Sequence, residues 1–226
     1  MEIERILDSY IEWQSIIESD DYKKMTQNEK ERLRLSHDED AKYYKEIGLS
    51  DKRALHADTI FSFWTIYKTL LQREANWNAY KTVKSLKYLK GKIEKNDEKI
   101  SEVNKMIEPF ADVCYLKGNF MLLPEGCRAM NNQRYQIAED RIDVTLHQCF
   151  GKGVLAKFFP TDEAVISWVH DQKLEKLFVD DDIRLEKVKW LVKEKSPKLI
   201  SEMSTHEIME YVESAMVFIK ERDAML

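Results

Sequence analysis

The sequence is poor in the two residues that punctuate a chain. Its 226 residues include 6 Gly and 4 Pro, where average usage would supply about 16 and about 11. That scarcity excludes collagen-like, low-complexity and Gly-rich linker architectures, and it disfavours an all-β protein built on many tight turns. No Pro precedes Pro109, and five of the six Gly fall between Gly91 and Gly153. The flanks are therefore expected to be helical and the middle irregular. Cysteine is scarce too. Cys114, Cys127 and Cys149 are odd in number and form no CxxC, which excludes a zinc framework and a secreted disulfide scaffold. They are expected as small buried thiols in a reducing compartment. No apolar run approaches the roughly 20 residues of a membrane span, and the charge-studded start MEIERILDSYIEWQ is not a signal peptide. The expectation is a soluble, cytoplasmic protein.

Catalytic signatures are missing as well. There is no Walker A, GxGxxG or GxSxG pattern. The acidic clusters His37-Asp-Glu-Asp40 and Asp180-Asp-Asp182 lack EF-hand and HExxH spacing. No cofactor and no metal are expected, and the aspartates at 180–182 are read as complementing a helix start. No period of 20–50 residues marks a solenoid.

What the chain has is charge and helical periodicity. Charged residues make up 34% and hydrophobic residues 43% of it, with a net charge of -5 and a pI near 5.7. That balance argues against broad, nonspecific nucleic-acid binding. Ile3, Ile6, Leu7, Tyr10 and Trp13 mark one helical face, ended by Asp20-Asp21. Thr26-Gln-Asn-Glu29 has the form of a capping box and opens a helix through Tyr43, Tyr44 and Ile47 to Gly48. Ser50-Asp51 is read as the cap of a central helix running through 57–67 to Leu71, apolar nearly all round. From Ala75 a lysine-rich pattern through Val83, Leu89, Ile100 and Ile107 predicts a helical hairpin broken at Gly91 and Asn96-Asp97. Residues 112–123 are short, apolar and Gly-interrupted, the one strand-like stretch. A polar loop over 125–134 and a helix from about Tyr135 to Phe150 follow. Thr161 opens a helix, Asp181 or Asp182 another through Val192, and Ser196-Pro197 a short turn. Ser204-Thr-His-Glu207 is a second capping box, starting the C-terminal helix. The fold class is mainly α: a single multi-helix domain of eight or nine helices over 1–226, with a small irregular or short β-hairpin insert around 109–134. A subdivision at 108/109 is the alternative.

Three groups of residues invite a functional reading. Asn119, Asn131, Arg134, Arg141 and Asp143 are polar residues set between apolar runs, so burial is expected, and buried Asn, Arg and Asp need partners. On a helix, Arg141 and Asp143 would point about 200° apart, so each is expected to find its partner elsewhere, in the insert. The group either pins an irregular loop or lines an anion or ligand pocket. Second, Arg141-x5-His147 resembles the spacing used by HEPN-type ribonucleases, in which His moves a proton and Arg steadies phosphorane charge. Arg32-x4-His37 has similar spacing, and composition alone yields about 0.7 such pairs. Third, Lys81, Lys84, Lys87 and Lys90, with Lys92, Lys95 and Lys99, form a ladder beside Trp77, Tyr80 and Tyr88. It reads either as a solvated face or as a phosphate-tracking surface.

The run Tyr115-Leu-Lys-Gly-Asn-Phe-Met-Leu-Leu-Pro124, then Asn131-Asn-Gln-Arg134, then Glu139-Asp-Arg-Ile-Asp-Val-Thr-Leu146 resembles an uncharacterised bacterial family. Its members carry GNF..LP, N..R and DR.D.TL motifs. Ala57-Asp-Thr-Ile-Phe-Ser-Phe-Trp64 is similar to its DT..SFW stretch. The resemblance spans about 57–150 and implies a bacterial or phage setting, with weight on Asn119, Pro124, Asn131, Arg134, Arg141 and Asp143, but no activity. The expected function is protein–protein interaction or self-association, regulatory or accessory in a phage-defence or counter-defence system. The alternatives are a metal-independent ribonuclease using Arg141 and His147, and a small-ligand sensor.

Overall fold

The computed structural model describes residues 2–37, 57–124, 128–192 and 198–226. It is mainly helical. Among the described residues there are ten α-helices: α1 (Glu2–Ile17), α2 (Asp20–Lys24), α3 (Gln27–His37), α4 (Phe63–Glu74), α5 (Val83–Glu94), α6 (Glu98–Ala111), α7 (Arg128–Ala138), α8 (Ile142–Cys149), α9 (Asp162–Asp171) and α10 (Thr205–Asp223). One small antiparallel sheet joins β1 (Ala57–Thr59) to β2 (Phe120–Leu122), with Asp58 opposite Met121. The expected continuation of α3 to Gly48, the cap at Ser50-Asp51, the turn at Ser196-Pro197 and Cys127 lie outside the described residues.

The chain forms two compact units. The first comprises residues 1–50 and 66–112, the second 51–65 and 113–226.

In the first unit, α1 lies against α5 and α6. Ile3, Ile6 and Leu7 meet a core of Leu86, Leu89, Ile93, Ile100, Val103, Ile107 and Phe110, all buried. This is the 3.6-residue periodicity at work: one apolar stripe per helix, closed on its neighbours. The hairpin turns at Asn96, whose φ of 53° is left-handed, and Asp97 caps α6 through the Ile100 N–H. Gly91 does not break the hairpin. It lies inside α5, where nothing approaches within 4 Å of an added Cβ. Asp20 and Asp21 likewise do not close α1; they open the five-residue α2, whose start Ser19 caps at 3.1 Å. The Thr26–Glu29 box forms, with the Glu29 carboxylate accepting from the Thr26 N–H at 2.7 Å.

The second unit departs further from periodicity. Residues 57–59, expected in a central helix, are strand β1, and the helix begins only at Phe63. The reason is long-range: β1 pairs with β2, and the Ile60 N–H donates to the Asn119 carbonyl at 2.7 Å. The expected loop 125–134 is largely α7 from Arg128 onward. The helix expected over 135–150 is interrupted at Glu139 and Asp140, both at positive φ. Residues 181–192 form no α-helix but short 3-10 turns linked by a Phe178–Val188 bridge, with Asp180 and Asp181 left-handed. Their apolar residues Ile183, Val188 and Val192 are buried all the same. Turns deliver them inward, and the spacing imitates a helix. The aspartates at 180–182 pair with Lys187, Lys176 and Arg184 instead of capping a helix.

α10 closes this unit. The Ser204–Glu207 box forms as expected, and Lys198 adds an ion pair at 2.9 Å. Together they hold the Glu207 carboxyl down at about 2. α10 packs on the 3-10 turn 117–119 so closely that a Cβ on Gly118 would lie 2.0 Å from the Ile219 carbonyl oxygen and 2.8 Å from the Asp223 nitrogen. Two glycines therefore predict opposite outcomes. Gly118→Ala should destabilise the protein by about 3 kcal/mol, since backbone cannot yield to the methyl. Gly91→Ala should stabilise it by about 1 kcal/mol. Urea denaturation of both variants checks the two signs.

Candidate functional site

The residues singled out by sequence converge in the second unit, where irregular chain must be buried. Each buried carbonyl and N–H there needs a partner, and polar side chains provide several. Asn119 is fully buried. Its amide donates to the carbonyls of Phe61 at 2.9 Å and Cys114 at 2.7 Å, and its oxygen accepts from the Phe61 N–H at 2.9 Å. It acts as a staple between two chain segments. Arg134 is equally buried: its guanidinium pairs with Asp58, donates to the Thr59 carbonyl at 3.0 Å and lies 3.5 Å from Asp140. Asn131 falls on α7, but its side chain lies outside what is described.

Arg141 and Asp143 do pair, against the expectation from helical spacing. Arg141 is the N-cap of α8, with extended backbone (φ −82°, ψ 110°), so the 100°-per-residue rotation does not apply to it. The guanidinium meets the carboxylate in a two-pronged contact, Nε to Oδ1 at 3.0 Å and Nη2 to Oδ2. Nη1 donates to the Lys198 carbonyl at 2.7 Å. Asp143 accepts in addition from the N–H groups of Val144 and Leu191 at 2.9 and 3.1 Å. Both side chains have no exposed surface. The partners are thus each other, together with the Lys198 carbonyl and the Leu191 N–H.

His147 stands apart from this fork. Its ring stacks on Trp190 with centroids 4.1 Å apart and planes 16° from parallel, and its Nε2 is buried without a hydrogen-bond partner. Burial pushes the imidazole below its ordinary pKa, against the pull of Asp143. Three of the seven ladder lysines are engaged within the first unit: Lys81 lies 4.0 Å over the Tyr10 ring, Lys90 bonds Asp8 at 2.5 Å and Lys92 bonds Asp97 at 3.1 Å. Lys84 and Lys87 are exposed.

Sequence reasoning passed over Arg222. It lies on the buried stripe of α10, in register with Tyr211, Ala215 and Phe218, a position where a basic residue signals an internal partner. Its Nη1 reaches the carbonyls of Lys117, Gly118 and Phe120, and its Nε that of Gln172 at 2.8 Å. A second omission is a groove of about 540 Å³ beside Trp190. Leu177 and Phe218 form its floor, Trp190 and Leu191 one wall, and Glu213, Val217 and Glu221 of α10 the other, with Lys176 and Lys189 at the edge. Among the polar residues described in this unit, those of the groove stand open to solvent while Asn119, Arg134, Arg141 and Asp143 do not. No family model, curated protein or solved structure matches the chain.

Two outcomes follow from this geometry. Arg141→Leu leaves a buried carboxylate unpaired and should cost about 3–5 kcal/mol, whereas Arg141→Leu combined with Asp143→Leu should recover part of that loss; denaturant titration of both proteins measures it. For His147, the unfolded chain binds a proton more readily than the folded one, so this residue's contribution is present above pH 6.5 and fades as pH falls. Stability should drop from pH 7 to 5 more steeply in the native protein than in His147→Phe, a comparison in which all other side chains are shared.

Proposed function

We propose that the chain is a helical binding protein that takes a short apolar and basic segment of a protein partner into the groove along α10. The observation that carries this reading is the groove itself: aromatic and aliphatic surface open to solvent, framed by charge. Val217 stands 58% exposed on its rim, and Trp190, whose back is stacked on His147, presents a rigid surface of the kind that dominates binding energy at interfaces. An amphipathic segment laid in such a groove buries apolar side chains on the floor and keeps its charges at the edge.

Charge decides the polarity of the partner. Lys176 is held by Asp181 at 2.7 Å, and the Lys189 ammonium donates to the Lys176 carbonyl at 2.9 Å. Among the described residues, Glu213 and Glu221 form no ion pair and are exposed. Lys189 at one edge and Glu213 and Glu221 along α10 are therefore the charges left, and because the carboxylates outnumber the ammonium, complementarity favours Lys or Arg beside bulky apolar residues. Such a role is in keeping with the resemblance of residues 57–150 to a bacterial family, and we read it as that of a regulatory or accessory component in a bacterial or phage cell.

Selection of short random peptides displayed on phage against the intact protein tests this. The expected consensus joins bulky apolar residues to Lys or Arg. Labelled peptides should bind at least about tenfold more weakly to Glu213→Lys/Glu221→Lys and to Val217→Asp. Absence of enrichment, or peptides indifferent to both variants, would overturn it.

A further inference from the structure

The first unit presents a surface where charge of one sign coincides with bare aromatic rings. From Ala75 to Ile93 the chain holds five lysines (Lys81, Lys84, Lys87, Lys90 and Lys92) and neither Asp nor Glu. Three carboxylates nearby are taken up: Asp8 by Lys90, Asp97 by Lys92, and Glu18 by the Val83 N–H at 3.0 Å. Lys84 and Lys87 are exposed, and among the described residues neither forms an ion pair. A helix turns about 100° per residue, so Lys84, Lys87, Tyr88 and Gly91 share one solvent-facing arc of α5 about 100° wide.

Tyr80 and Tyr88 are 65% and 59% exposed, yet both are held in place. Trp77 meets the Tyr88 ring edge-on with centroids 5.7 Å apart, and the Lys92 ammonium lies 5.8 Å from the centre of that ring. The Tyr80 N–H donates to Ser85 Oγ at 3.1 Å, and the Trp77 N–H to the Leu71 carbonyl at 3.1 Å. These contacts lay residues 77–80 back along the turns of α5 that carry Lys84 and Tyr88. Gly91 follows one turn later. An added Cβ there would meet nothing within 4 Å, so no described neighbour requires glycine at this position, where alanine would favour the helix. The bare helix lets the backbone of a partner approach closely.

We propose that this surface binds single-stranded nucleic acid, its bases stacking on Tyr80 and Tyr88 and its phosphates drawn to Lys84 and Lys87. Every base has a ring face to stack, and pairing such contacts with a basic track is how single strands are held without regard to sequence. A duplex offers the same phosphates but keeps its bases stacked inside. An anionic membrane calls for apolar side chains that insert among the lipids, whereas the exposed residues over 76–90 are Asn, Tyr, Lys and Thr. The net charge of -5 opposes long-range attraction of a polyanion, so contact with the bases supplies much of the affinity.

Fluorescence anisotropy of labelled oligothymidylate and oligouridylate, each of about 12 nucleotides, titrated with the full chain tests the proposal. At low salt at least one should bind with a Kd below about 100 µM, and the tighter of the two distinguishes DNA from RNA as the strand preferred. An abasic strand of equal charge and a duplex of equal length should bind at least about tenfold more weakly. Tyr88→Ala should weaken binding about tenfold, while Tyr88→Phe, which keeps the ring, should bind as the native protein does. Lys84→Glu/Lys87→Glu should weaken it at least about tenfold and flatten the slope of log K against log salt by about 1.4, the share of two phosphates. These side chains are exposed, so the thermal midpoints of all three variants should stay near that of the native protein. No binding of either oligonucleotide, equal binding of the abasic strand or the duplex, native-like binding by Tyr88→Ala, or tighter attachment to phosphatidylserine vesicles or polyglutamate would each overturn it. The surface and its variants lie in a different unit from the α10 groove, so the two readings stand or fall separately.

Discussion

Burying irregular backbone is the constraint on which the second unit depends. A helix satisfies its own N–H and carbonyl groups; a 3-10 turn, a bend or a three-residue strand does not. Residues 113–124 are made of such pieces, yet Cys114, Gly118, Phe120 and Met121 are buried. The protein meets the requirement with side chains that act as surrogate backbone. Asn119 supplies both donor and acceptor to residue 61, the Trp168 indole donates to the Leu122 carbonyl at 2.8 Å, and the Gln172 oxygen accepts from the Leu122 N–H at 2.6 Å. α9 therefore covers the open edge of β2, which would otherwise be available for pairing with another strand. Arg222 completes the set from α10.

The first unit obeys a simpler rule, and its sequence can be read accordingly. α1, α5 and α6 bury the residues that a 3.6-residue period selects, and the caps at Thr26 and Asp97 are set by the side chains that the chain places there. Where reading by period fails, the cause is long-range or local to one backbone angle. β1 was indistinguishable from the helix that follows it because its partner strand lies far along the chain. The stretch 181–192 imitates a helix because turns bring apolar residues inward at similar spacing. The Arg141–Asp143 fork was hidden by an assumption about geometry: two residues apart on a helix they diverge, but Arg141 precedes the helix and turns back on it.

The same distinction explains how much of the function could be seen in advance. Sequence located the polar group at Asn119, Arg134, Arg141 and Asp143 and left open whether it pinned a loop or lined a pocket. In the fold these four side chains are closed from solvent: Asn119 is engaged by backbone, Arg134 by Asp58, Asp140 and the Thr59 carbonyl, and Arg141 and Asp143 by each other and by backbone. The open groove involves residues that looked ordinary. Trp190 and Val217 belong to no motif in the sequence. Their standing comes from what their neighbours leave uncovered, a property of the assembled unit that no spacing encodes.

The reach of Arg222 has a consequence for how the protein is made. The carbonyls of Gly118, Phe120 and Gln172 wait for a guanidinium encoded far downstream of them. On the ribosome, the segment around residue 118 leaves the exit tunnel long before residue 222 is synthesised, and during that interval its apolar side chains and open strand edge have no lasting cover. Completion of the second unit thus waits for residue 222, and the nascent chain between those two moments is the form of this protein most exposed to misassembly.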